Sequence, residues 1–373
     1  MKAFKLKIKK PSKAVTQAFE NTLDLCRELY NAALQERVGA WKEHRFAVTR
    51  FDQDKQLPEI KEFRPEFKGV HSQVLQDILK RLDKTFKAFY ARVKRGEKSG
   101  FPRFKAADRF NSFTFPQSGF SLQDNKLTLS RIGTMKIRLS RNIIGKVKTC
   151  TIKREVDGWF VIFATETEKM FLPKTNQSVG IDVGLENFAT LSNGIQVENP
   201  RFLRNSEKNL KKIQRSVCRK KKGTNGRKKT VKLLQKKYLK IRRQRQDFLH
   251  KTANQIVQKF DEIAVENLKI GNLVKNHRLA KSITDACWGY FIQFLEYKAE
   301  DAGKRVWKVN PSGTSQICIC GEKVEKTLRV RHHKCIKCGY ENHRDIVSAQ
   351  IILERAVGQT AQTLTNRVTE SVV

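Results

Sequence analysis

Ser178-Val-Gly-Ile-Asp-Val-Gly-Leu-Glu186 sets one carboxylate, Asp182, near the end of a short apolar segment. Val179 to Val183 reads as a strand, Phe188 to Leu191 as a second, and Ile195 to Val197 as a third beyond the Asn193-Gly194 turn. Two long helices follow, then a strand at Glu262 to Glu266, a helix around Trp288 to Ala302 and a strand at Arg305 to Val309. Three antiparallel strands followed by alternating helices and strands is the order of an RNase H-like sheet. The last helix is expected to start near Asp345 and to carry Val347, Ile351, Ile352 and Leu353.

Outward from this region, the N-terminal half changes texture twice. Residues 14 to 46 have helical spacing through Val15, Phe19, Leu23, Cys26, Leu29, Tyr30 and Leu34. A second helix continues from Val70 through Ile78, Leu82, Phe86 and Phe89. From Gly100 to about Phe171 the pattern turns to short alternating runs, at 112 to 115, 126 to 129, 135 to 139, 147 to 153 and 159 to 165. These are expected to form a small β-barrel, with residues 1 to 10 supplying its first strand. The fold class is therefore α+β and multidomain.

With 76 Lys+Arg against 37 Asp+Glu, the chain of 373 residues carries a formal net charge of +39. Such a surface attracts polyanions, and nucleic acid is the expected partner. Between positions 208 and 245 lie 18 Lys/Arg and no acidic residue, with apolar residues at helical spacing on either side of Gly223-Thr-Asn-Gly226. This predicts a basic helical hairpin in which Lys220, Lys221, Lys222, Arg227, Lys228 and Lys229 contact phosphate. The N-terminal segment alternates basic and apolar residues, unlike a signal peptide. No apolar run approaches the ~20 residues of a membrane span. The expected protein is soluble and intracellular, with no membrane partner.

In so basic a chain, acids bordering apolar segments invite a chemical reading. Asp182, Glu266 in Asp261-Glu-Ile-Ala-Val-Glu-Asn-Leu268 and Asp345 in Asn342-His-Arg-Asp-Ile-Val347 are candidates to hold two Mg²⁺ ions against a phosphodiester. Singly, each has a plainer role: a turn residue, a lysine partner and a helix N-cap, respectively. Together they point to a metal-dependent nuclease. Cys318-Ile-Cys320-Gly321 and Cys335-Ile-Lys-Cys338-Gly339 offer four thiolates for a closed structural Zn²⁺ site. The first pair has a one-residue spacer, and His332, His333 or His343 lies near enough to substitute for a ligand.

These residues resemble the TnpB (OrfB-type) family, transposon-encoded RNA-guided DNA endonucleases. The likeness rests on Gly180-Ile-Asp-Val-Gly184, Val265-Glu-Asn-Leu268, Asn310-Pro-Ser-Gly-Thr-Ser-Gln316 and His343-Arg-Asp345. Leu25-Cys-Arg-Glu-Leu-Tyr-Asn-Ala32 and Gly100-Phe-Pro-Arg-Phe104 extend it over nearly the whole chain. The resemblance implies a split RuvC nuclease domain over 178–310 and 345–360, with catalytic acids Asp182, Glu266 and Asp345 and the basic hairpin over 205–255. It further implies a zinc ribbon over 311–344, a wedge-like β-barrel over 1–10 and 100–171, a helical recognition module over 11–99 and a tail over 361–373. A guide RNA, one protein chain per guide, a double-stranded DNA target and a prokaryotic cytoplasmic, nucleoid-associated setting complete that expectation. By the same analogy, protein groups read a short motif flanking the target, and Gln73 and Gln76 are candidates, since Gln suits adenine. The chain departs from the family pattern in its shortened first Cys pair and in His343 where Asp is commoner. Rival readings are an RNase H-like strand-transfer transposase without RNA and a non-catalytic RNA-binding zinc-ribbon protein.

Overall fold

The computed structural model describes residues 1–169, 171–327 and 330–370, with backbone alone for 359–370. The chain divides into two compact units, Met1–Glu168 and a second beginning at Lys169.

In the first unit, β1 (Lys2–Ile8) buries Phe4, Leu6 and Ile8 and turns Lys5 and Lys7 outward, the period-2 alternation of a half-buried strand. Three helices follow: α1 (Lys13–His44), α2 (Arg50–Phe63) and α3 (Ser72–Lys94). The Ser12 hydroxyl accepts from Val15 N to cap α1, whose inward face carries Val15, Phe19, Leu23, Cys26, Tyr30 and Leu34. No helical spacing pointed to α2, which buries only Gln53 and Leu57 and contains Pro58. Its start is fixed by a reciprocal capping box between Thr49 and Asp52.

The remaining strands of this unit are β2 (Ser112–Phe115), β3 (Phe120–Gln123), β4 (Lys126–Leu129), β5 (Gly133–Arg138), β6 (Lys146–Glu155) and β7 (Gly158–Glu166). They form with β1 a seven-stranded sheet in the order β2-β6-β7-β1-β5-β4-β3. The expected barrel is not closed: among the described residues β2 and β3 remain edges, and β1 lies at the centre. The edge strand β2 is covered rather than paired. Asn111 O accepts from Arg154 N on β6, so the Ser112 carbonyl faces away, where Arg81 of α3 donates to it at 2.8 Å. Arg81 also donates to Thr114 Oγ1 at 2.6 Å, so the helix satisfies the edge that closure would otherwise have satisfied.

The second unit is built on β8 (Ser178–Val183), β9 (Asn187–Leu191), β10 (Gln196–Glu198), β11 (Glu262–Glu266) and β12 (Arg305–Val309). Their order is β10-β9-β8-β11-β12. The first three strands pair antiparallel, and β8, β11 and β12 pair parallel. Helices α4 (Phe202–Arg219) and α5 (Asn225–Lys259) connect β8–β10 to β11, and α6 (Ile270–Leu273), α7 (Ala280–Ala286) and α8 (Trp288–Ala302) connect β11 to β12. Beyond β12 lie two short strands, β13 (His332–Lys334) and β14 (Glu341–His343), and a terminal helix, α9 (Arg344–Glu370). The expected tail is thus helical as far as Glu370, and its last three residues lie outside the described ones.

Alternation along the strands decides which helix covers which face. Val179, Ile181, Ile263 and Val265 share one core with Leu249, Ile256, Phe291 and Leu295 of α5 and α8. Ala264 and Val309 share another with Ile352 and Ala356 of α9. Gly180 belongs to this second face: a Cβ there would lie 1.9 Å from Ala349 O, so only glycine admits the α9 backbone so close. Among the described residues no helix is long and apolar enough to cross a membrane.

Candidate active site and zinc ribbon

The packing that places α9 over Gly180 also assembles the acids. Residues two apart on a strand share a face, so Asp182 lies on the α9 side with Gly180, and Glu266 lies there with Ala264. Strands β8 and β11 run parallel with Ile181 beside Val265, which sets Asp182 and Glu266 side by side at their C-terminal ends. Asp345 stands in the first turn of α9, one helical turn before Ala349 and on the same helix face. Three segments distant in sequence therefore deliver their carboxylates to one end of the sheet.

The charges register that approach. Asp182 is half-buried with protein packed round nearly all of it, and this burial, then the negative charges of Glu266 and Asp345, hold its carboxyl well above the ordinary carboxylate range. Arg344 and Arg331 offset the effect only in part. Burial also raises Glu266, against the lowering effects of a hydrogen bond from Thr314 and the charge of Arg355. Carboxyl oxygens whose burial disfavours ionisation are groups that could hold a hard divalent cation, which would supply the missing positive charge.

Two groups at this site escaped the reading of the sequence. Arg331 donates from Nη1 to Asp345 at 3.3 Å and pairs through Nη2 with Glu186 at 2.9 Å. Thr314 Oγ1 donates to Glu266 Oε1 at 2.6 Å. Arg and Thr are too common to stand out in a sequence, and both reach the acids from outside the strands that carry them. Only the position of Thr314 in the Asn310–Gln316 segment could have flagged it.

The four cysteines meet in a compact knot. Cys318 Sγ lies 3.6 Å from Cys338 Sγ and Cys320 Sγ lies 3.7 Å from Cys335 Sγ, and all four sulfurs fall within 4.8 Å of one another. Sulfurs about 2.3 Å from a central Zn²⁺ in a tetrahedron stand roughly 3.8 Å apart, so the spacing fits that ion. Each knuckle is turned by a glycine at positive φ, Gly321 at 83° and Gly339 at 73°. Gly321 N donates to Cys318 O and Gly339 N to Cys335 O. No histidine joins the group: His332 faces Glu341, His333 is buried against Lys326, and His343 Nδ1 accepts from Asp345 N. Among the described residues these thiols are the one set of three or more metal-type ligands gathered this closely, and the three carboxylates are more widely spaced.

Helices α4 and α5 form the basic hairpin, but its six singled-out residues are not equivalent. Lys220 Nζ donates to Thr230 Oγ1 at 2.6 Å, and Arg227 Nη1 donates to the Val217 and Lys220 carbonyls at 2.6 and 2.9 Å. Those two close the turn, Arg227 by satisfying the end of α4 and Lys220 by tying that end to α5. Lys221, Lys222, Lys228 and Lys229 project into solvent. At the base of the hairpin, Asp285 accepts from Leu203 N and Arg204 N and from both Nε and Nη2 of Arg245, which anchors the start of α4. A cleft of about 690 Å³ opens there beside Glu186, lined by Arg201, Arg204, Arg278 and Lys281. In the first unit, Gln73 Oε1 accepts from Ser118 N and Oγ at 3.1 Å each, whereas Gln76 is exposed on the same helix.

Three acids at one end of a mixed five-stranded sheet and a four-cysteine knot together mark the candidate site of an α+β scaffold. Comparison with known proteins narrows it. The model of the OrfB_IS605 family, described as probable transposase, matches residues 163–277, which include Asp182 and Glu266. That of the Cas12f1-like TNB domain matches 288–352, which include the cysteines and Asp345. A Streptomyces pristinaespiralis protein named "Putative RNA-guided DNA endonuclease" is 32% identical over 363 residues, covering 94% of this chain and 88% of that protein. "Putative RNA-guided DNA endonuclease InsQ" of Escherichia coli (strain K12) is 30% identical over 77% of this chain and 75% of its own length. A Cas12f1-sgRNA-target DNA complex solved by cryo-EM aligns over 94% of the chain at 17% identity with a TM-score of 0.35. The chain belongs to the OrfB family, the TnpB-like proteins.

Proposed function

We propose that this protein is a transposon-encoded, RNA-guided, metal-dependent DNA endonuclease. One observation carries the reading: Asp182, Glu266 and Asp345, from three distant segments, meet at one end of the sheet, where burial and then the charges of Glu266 and Asp345 hold the Asp182 carboxyl up. The names of the relatives supply the guide and the substrate class, and the net charge of +39 agrees with both. In this reading residues 178–310 and 345–360 are a RuvC-like nuclease domain of the RNase H type. Residues 311–344 are its zinc ribbon, 1–10 with 100–171 a wedge-like sheet, and 11–99 a recognition module of which Gln76 is a motif-reading candidate. One chain acts with one guide RNA on double-stranded DNA.

Asp182, Glu266 and Asp345 would be the residues that hold Mg²⁺. Bound there, the ions supply an activated water and neutralise charge on the phosphorane-like transition state and leaving oxygen. The protein's own part is to hold those oxygens in place. Arg331 fixes Asp345 and Glu186 at the rim. Cys318, Cys320, Cys335 and Cys338 would hold Zn²⁺ as thiolates. A hydrogen bond from the Cys338 backbone draws the Cys335 thiol down to about 7, whereas burial pushes Cys318 up to about 12, so a cation is needed to keep all four charged together.

Purification after nuclease treatment, sequencing of the protected RNA and exchange of its targeting segment test the guided reading. Cleavage should move to the DNA site complementary to the new segment. Cleavage that ignores the exchange, or protein active without RNA, would favour a strand-transfer enzyme that works unguided.

A further inference from the structure

We propose that Thr314 is the positioning residue for Glu266, and that through it the loop entering the cysteine ribbon sets the geometry of the carboxylate site. Thr314 is only 4% exposed. Its single hydroxyl proton has two acceptors in reach, Glu266 Oε1 at 2.6 Å and Pro311 O at 3.2 Å. The shorter bond, to a charged oxygen, takes the proton. With one oxygen so held, a carboxylate on a two-methylene stem loses the rotation that would turn its other oxygen away from the site.

The loop carrying Thr314 is itself pinned. Asn267 N, one residue past Glu266, donates to Val309 O at 2.8 Å, so the start of the loop is tied to the strand that bears the acid. Arg355 of α9 donates to Asn310 O at 2.6 Å, and Asn310 Oδ1 accepts from Ser312 N at 3.0 Å. Gly313, at φ 74°, turns the chain so that the next residue points inward; a Cβ there would come 3.3 Å from Ile317. Four residues after Thr314 comes Cys318, the first ribbon thiol. The ribbon therefore holds one end of a short loop whose middle residue orients a site acid.

The inference rests on the reading of Glu266 as a ligand of the catalytic ion, and the test separates the two. Thr314→Val removes the hydroxyl and keeps the shape, and Thr314→Ser keeps the hydroxyl. Mn²⁺ binding to the full RNA-loaded protein is followed by the electron paramagnetic resonance signal of the free ion, with Glu266→Gln defining the metal bound elsewhere, RNA phosphates included. Thr314→Val should weaken the site-specific Mn²⁺ about tenfold and raise the half-saturating Mg²⁺ for cleavage by a similar factor, while Thr314→Ser stays within about twofold of the parent. Zinc content and unfolding midpoint report whether the ribbon stays folded; if valine disrupts it, Thr314→Ala replaces valine with the same expected loss. Parental Mn²⁺ affinity without the hydroxyl, or an equal loss in the serine variant, overturns the proposal. If Glu266→Gln itself leaves Mn²⁺ binding unchanged, the metal-site reading fails instead.

Discussion

The cysteine knot and the carboxylate site, both in the second unit, gather their ligands by opposite routes. Cys318, Cys320, Cys335 and Cys338 come from one stretch of chain, and each pair is turned by a glycine whose N–H donates to a cysteine carbonyl three or four residues back. Asp182 and Asp345 are 163 positions apart, and with Glu266 they meet only because α9 lies on the Gly180–Ala264 face of the sheet. The thiols approach to 3.6 Å, whereas the carboxylates stay wider and repel. A locally closed site can survive a change in the sheet. A site made by packing cannot.

The sharpest way to separate them is Gly180→Ala. Its methyl would collide with Ala349 O, and either α9 or β8 must shift. Cleavage should fall at least ~100-fold, the scale expected when catalytic groups are misplaced by about 1 Å. Zinc measured by elemental analysis should stay at one ion per chain. Loss of zinc together with activity would show that the ribbon depends on the same packing.

The converse change is Cys335→Ser, which removes one ligand of a site that contributes folding free energy directly. Zinc should be lost and the unfolding midpoint lowered, with cleavage reduced about tenfold through the loop that orients Glu266. Retention of zinc in soluble, active protein would end the four-thiolate assignment.

A smaller effect is expected at the basic hairpin. Changing the solvent-facing Lys221, Lys222, Lys228 and Lys229 to Gln should weaken RNA binding for unrelated guides alike and lower the slope of log affinity against log salt by about 0.7 to 0.9 per lost phosphate contact. Changing Lys220 and Arg227 should instead lower thermal stability, because they close the turn. Equal salt slopes in the two variants would erase that distinction.

Smallest is a stability effect whose sign runs against activity. The folded Asp182 carboxyl is raised, so the native state holds a proton that the unfolded chain has released, and stability of the metal-free protein falls as pH rises from the ordinary carboxylate range through the raised value. Asp182→Asn should therefore raise the metal-free unfolding midpoint at neutral pH by about 2–4 °C, the shift ~1 kcal/mol produces in a unit of this size. A lower midpoint would mean that Asp182 is stabilised as an anion before any metal binds.

How much of this was legible follows the same division. The succession from β8 to β12 could be read because β8, β9 and β11 are compact apolar runs and the Asn193-Gly194 turn marks the way to β10, and the helix start at Asp345 because an apolar face follows it. Strand β3 is four residues long with no fully buried side chain, and α2 is mostly polar with a proline inside it, so periodicity passed over both. The open edge of the first sheet depends on where Arg81 reaches, which no local pattern encodes. Lys220 and Arg227 looked like their lysine and arginine neighbours until the Thr230 hydroxyl claimed the one and the carbonyls at the end of α4 the other.

The central claim is that Asp182, Glu266 and Asp345 act as one metal-holding unit. Single-turnover cleavage of guide-matched DNA at saturating Mg²⁺ by Asp182→Ala, Glu266→Ala, Asp345→Ala and the triple variant, each checked for retained guide RNA, tests it directly. Each single change should abolish cleavage with RNA still bound, and the triple variant should be no worse than the singles, because a two-ion site fails as a whole. Parental cleavage by any one of the three, or losses that multiply in the triple variant, would contradict it.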